Sequence, residues 1–81
     1  MNRSEALDHV SRSIRTVVPD ADFDGVSPDA DLRETFELDS LDFLSFVETL
    51  GERTGCRIDE DDYPALATLS SSADFLLSRA G

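Results

Sequence analysis

Phe43, Phe46, Val47 and Leu50 fall at steps of three, one and three, the most regular apolar stripe in the chain. That spacing draws one face of an α-helix. No other segment alternates apolar and polar residues as a strand would. With 81 residues and this as its strongest signal, the chain points to helices packed on helices around one small core. A single cysteine excludes an internal disulfide, so packing alone must hold the fold, which suits a reducing compartment.

The remaining elements follow from the same reasoning. Leu7, Val10, Ile14 and Val17 make a second helical stripe. Asn2 and Glu5 are spaced as an N-terminal capping pair, and Pro19 forces the preceding residue out of helical geometry. A first helix over 3–18 is expected, with His9 off its stripe and solvated. From Asp20 to Asp39 the apolar residues Phe23, Val26, Leu32, Phe36 and Leu38 are irregularly spaced, which reads as a long loop pinned to the core, with room for a helical turn at Asp31 to Thr35. Asp39 is a good N-cap for a second helix over 40–54, with Asp42 at its third position; Gly51 weakens it and Gly55 stops it. Asp59 to Asp62 opens a short third helix over 60–66, with Tyr63, Leu66 and Leu69 inward and Pro64 admissible in its first turn. The serines 70–72 supply a cap for a last helix over 71–79 that sets Phe75, Leu76 and Leu77 on the core. Cys56 reads as a small core residue. The expected fold is all-α, a small four-helix bundle in one domain over 1–81, with a long loop between the first and second helices.

Eighteen acidic residues against seven arginines and no lysine give a net charge of −11. Such a surface repels nucleic acid and anionic lipid and steers basic partners toward itself. The acids cluster between Asp20 and Asp42, where Arg33 is the one base. No apolar run is long enough to span a bilayer, and the N-terminus lacks the apolar core of a secretion signal. A free-standing, monomeric, cytoplasmic protein is expected, with no membrane insertion and no nucleic-acid partner.

Ser40 sits among carboxylates where the acidic loop becomes the second helix. As a catalytic nucleophile it would need a base oriented by a third group, but the chain has one histidine, no lysine and no Gly-x-Ser-x-Gly turn. As an acceptor of a phosphoryl group it is better placed, because free N–H groups and the positive dipole end favour an anion at a helix start. The loop offers a rival of another class. Asp20, Asp22, Asp24, Gly25 and Asp31 have the spacing of an EF-hand calcium loop, with aspartate in place of the final glutamate. Against it stand Ser27 at the position that should be apolar, Pro28 after it, and the lack of a second loop.

Leu38-Asp39-Ser40-Leu41-Asp42 resembles the attachment motif of acyl carrier proteins. The resemblance extends from Asp31-Leu32 through Phe36 to Leu41, to Gly55-Cys56-Arg57-Ile58 after the second helix, and to Thr68-Leu69-Ser70 and Ala73-Asp74-Phe75-Leu76 near the end. It implies that Ser40 carries a 4′-phosphopantetheine arm, attached from coenzyme A by a phosphopantetheinyl transferase, whose thiol holds acyl groups as thioesters. It also implies that the helix from Ser40 to Thr54 is a recognition helix. Asp39, Leu41, Asp42, Leu44, Glu48 and Glu52 would then meet basic docking patches on acyl-loading and acyl-processing enzymes. Glu37 stands where the family usually has glycine, Gly51 and Arg53 where it often has acids, and Phe43 and Phe46 are bulkier than usual. These departures point away from housekeeping fatty-acid synthesis and toward a specialised lipid or secondary-metabolite pathway. An amino-acid cargo stays open, although the Gly-Gly-x-Ser motif of peptidyl carriers is missing.

Overall fold

The computed structural model describes residues 1–79 and consists, over those residues, of helices joined by turns and loops. In chain order these are α1 (Arg3–Val17), α2 (Leu32–Thr35), α3 (Ser40–Thr54), a 3₁₀ segment (Glu60–Leu66) and α4 (Leu69–Arg79). α1 packs against both α3 and α4, and the 3₁₀ segment packs on α4.

α1 opens with the expected capping box: the Asn2 Oδ1 accepts from the Glu5 N–H at 2.8 Å, and the Glu5 Oε1 accepts from the Asn2 N–H at 3.1 Å. Its buried face is Ala6, Val10, Ser13 and Ile14, with Leu7 and Val17 only half-buried at the edge. The face is thus rotated from the stripe drawn by the large apolar residues. Two neighbouring helices press on α1, and small side chains at Ala6 and Ser13 let them close in. Ser13 satisfies its hydroxyl locally by donating to the His9 carbonyl at 2.8 Å. His9 itself is half-buried, with Nδ1 out of contact with solvent, and is not the solvated residue expected.

The long loop is tied down at both backbone and side chains. The Leu32 N–H donates to the Ala67 carbonyl at 2.8 Å and the Ser70 N–H to the Pro28 carbonyl at 3.0 Å. The Phe23 and Phe36 rings meet at a tilt of 52°, 5.0 Å between centroids, and the Arg15 guanidinium covers Phe23. Leu32 and Leu38 are buried.

Two local expectations shift. The segment after Asp59 winds as a 3₁₀ helix with Pro64 as its fifth residue, outside the first turn. In an α-helix the ring would clash with the carbonyl four residues back, and the tighter winding avoids that clash. The last helix begins at Leu69, because Thr68 and not the serine run caps it: the Ser71 N–H donates to Thr68 Oγ1 at 3.0 Å and the Thr68 N–H to Ser71 Oγ at 3.2 Å. Ser72 is fully buried inside the helix.

Candidate functional site

The site is the junction between α2 and α3. Asp31 caps α2 by accepting from the Glu34 N–H at 2.9 Å, and α2 ends after one turn. Glu37 then takes φ +53°, and the Leu38 N–H reaches back to the Arg33 carbonyl at 2.9 Å. This six-to-one bond around a left-handed residue is the Schellman helix stop, a place that glycine fills most readily. It turns the chain so that Leu38 is buried and Asp39 starts the next helix.

Asp39 and Asp42 form a reciprocal box at the start of α3. The Asp42 N–H donates to Asp39 Oδ1 at 2.8 Å, and the Asp39 N–H to Asp42 Oδ2 at 3.4 Å. Both carboxylates therefore satisfy orphan N–H groups and complement the positive helix end. Ser40 stands between them as the first residue of α3, exposed, and its hydroxyl makes no hydrogen bond to the described residues. Phe43, Phe46, Val47 and Leu50 hold the helix to the core. Gly51 has a packing reason, since a Cβ there would lie 3.2 Å from the Cys56 carbonyl oxygen, and Gly55 ends the helix at φ +70°.

The outer face of α3 has two ridges at four-residue spacing. One runs Ser40, Leu44, Glu48, Glu52 and the other Leu41, Ser45, Thr49, Arg53. Leu41 is 74% exposed and Leu44 40%, unusual for leucines in so small a chain and adjacent to the serine. Glu48 and Glu52 are exposed like charges one turn apart, a mildly unfavourable pair in an isolated helix. Of the anticipated recognition residues only Asp42 is half-buried; Asp39, Leu41, Leu44, Glu48 and Glu52 all face solvent.

The loop carboxylates do not converge. Asp22 accepts from the Asp24 N–H at 2.9 Å in a local turn, Asp20 is exposed, and Asp31 is occupied as the α2 cap. Among the described residues no three histidine, cysteine, aspartate or glutamate side chains are grouped as a metal ion requires. Cys56 is half-buried against the core.

Asp31, Arg33, Phe43, Tyr63, Pro64 and Ala67 line an open cleft of about 310 Å³, with Phe43 three residues along α3 from the serine. The Tyr63 ring meets Phe43 edge-on at 5.6 Å, and the Arg33 guanidinium lies 5.3 Å from the Phe43 centroid. Arg33 is the one base between Asp20 and Asp42.

A family model described as the phosphopantetheine attachment site matches residues 10–76. The acyl carrier protein of Rubrobacter xylanophilus is 29% identical over 80 residues, which cover 95% of this chain and 94% of that relative. No solved structure matches the chain at comparable strength.

Proposed function

Since the chain belongs to the acyl carrier protein family, with its phosphopantetheine attachment site, we propose that Ser40 is the residue that takes the arm. Proteins of this family are carriers and not catalysts, and they hold a 4′-phosphopantetheine group. The observation that carries the assignment is the state of Ser40: exposed, unpartnered among the described residues, and fixed as the first residue of a capped 15-residue helix. When bound, the group supplies a thiol that holds acyl chains as thioesters.

The rest is work for this chain's own residues. Asp39 and Asp42 fix the backbone that presents the Ser40 Oγ, so the hydroxyl meets an incoming phosphorus from a set direction. The base that removes its proton belongs to the transferase, because this chain has no lysine and its one histidine is on α1. Leu41 and Leu44 give partners an apolar contact beside the serine. Glu48 and Glu52, with the outward oxygens of Asp39, meet basic patches on the transferase and on acyl-processing enzymes, and relief of the Glu48–Glu52 repulsion favours a cationic partner. Glu37 and the bulky Phe43 support a specialised lipid or secondary-metabolite pathway. The carrier works as a cytoplasmic monomer.

Incubation with coenzyme A, magnesium and a broad-specificity phosphopantetheinyl transferase, followed by intact mass measurement, tests the assignment. The expected result is one added phosphopantetheine in the parent protein and none in Ser40→Ala. An equal mass gain in the variant would place the arm elsewhere.

A further inference from the structure

We propose that the Asp24–Gly25 bond is a modification site, where Asp24 converts to isoaspartate through a succinimide without an enzyme. The same fold shields Asp39, the aspartate next to Ser40, from this conversion. Neither statement depends on what Ser40 carries.

The step needs only the chain and water. The nitrogen of the following residue attacks Cγ of the protonated carboxyl. A C–N bond forms, the C–O bond breaks, and the hydroxyl leaves with the nitrogen's proton as one water. A second water then opens the ring. Addition at Cγ restores aspartate, whereas addition at the former backbone carbonyl leaves the chain running through Cβ and Cγ. Nothing is oxidised or reduced.

Asp24 alone among the aspartates is followed by glycine, which has no Cβ to crowd the attacking nitrogen. Little else opposes closure there. Asp24 and Gly25 are exposed, and no atom comes within 4 Å of the place a Gly25 Cβ would take. The Asp24 carboxylate makes no ion pair or hydrogen bond with the described residues, and the Gly25 N–H donates to none of them. Swinging the Gly25 nitrogen onto Cγ disturbs two local bonds. These are Val26 N–H to the Phe23 carbonyl at 3.1 Å and Asp24 N–H to Asp22 Oδ1 at 2.9 Å.

Asp39 is held wherever the reaction must move. Its Oδ1 accepts from the Asp42 N–H at 2.8 Å, and its own N–H donates to Asp42 Oδ2. The Ser40 nitrogen, which would attack, belongs to the first turn of a 15-residue helix. Turning the Asp39 carboxyl toward that nitrogen opens the box and frays the helix start. The cap thus keeps the backbone at the serine intact while the exposed turn ages.

The test ages the parent protein in warm neutral buffer, folded and in urea, and digests it with trypsin. Cleavage after Arg15, Arg33 and Arg53 puts Asp24 in residues 16–33 and Asp39 in residues 34–53. Isoaspartate is counted with an isoaspartate-specific carboxyl methyltransferase and located by electron-transfer fragmentation. In the folded protein Asp24 is expected to convert within about threefold of its urea rate, and Asp39 at least about tenfold below its own. Asp24→Glu keeps the charge but cannot close the five-membered ring, so it should clear the signal from residues 16–33. A folded-state rate at Asp24 suppressed beyond threefold would overturn the proposal. So would a signal that survives in Asp24→Glu, or an Asp39 rate that folding leaves unchanged.

Discussion

Glu37 holds a left-handed backbone angle that a residue with a Cβ adopts at a cost of about 1–2 kcal/mol. Glycine would remove that cost but forfeit about 0.5–1 kcal/mol of chain entropy in the unfolded state. Glu37→Gly is therefore expected to stabilise the protein by up to about 1 kcal/mol, read as a higher urea midpoint with an unchanged slope. A lower midpoint would mean that the carboxylate stabilises the junction by more than the backbone angle costs. The departure from the family's glycine was visible in the sequence; the angle that explains the glycine was not, because a Schellman stop depends on where α2 ends. Ser40, Asp39 and Asp42 were legible for the opposite reason: capping is set within four residues. Arg33 stands among acids in the sequence, and only the fold shows that it forms no ion pair with the described residues.

α3 ties Ser40 to the core through one row of side chains and to its own first turn through Asp39. Asp39→Ala removes a helix cap and should cost about 1 kcal/mol, seen as lower thermal stability and weaker helical dichroism. Asp39→Asn keeps the cap and deletes the charge, so it should preserve stability while weakening transferase docking, seen as a raised KM. If Asn lowered stability as far as Ala does, the charge–dipole term and not the hydrogen bond would be the main contribution. The helices themselves were readable wherever large apolar residues marked the buried face, as in α3. The phase of α1 was not, because the groups that decide it are Ala6 and Ser13, and small residues show in a sequence only as the lack of a signal. Pro64 and the start of α4 depart from the α-helical pattern for a related reason: a 3₁₀ turn and a cap at Thr68, ahead of the serine run, satisfy the same groups.

At the scale of the molecule, a net charge of −11 is carried on a body of 30 × 25 × 19 Å. Among the described residues four ion pairs, each with at least one solvent-exposed partner, offset little of that repulsion. Raising salt from about 0.01 to 0.1 M shortens the screening length from about 30 to about 10 Å, and the melting temperature is expected to rise. A fall would show that the ion pairs, such as Arg79–Asp62, outweigh the repulsion. The four-helix outline was legible from periodicity, and the long loop was expected to be pinned by apolar anchors. Its two backbone ties, Leu32 to Ala67 and Ser70 to Pro28, could not be read, because they join segments far apart in sequence. These ties bear on the order of events during synthesis. The loop ahead of the serine lacks these two ties until residues 67 to 70 have been made. Ser40 is thus translated well before the groups that tie down the loop preceding it. A chain terminated before residue 67 keeps the serine and has neither backbone tie of the loop that precedes it.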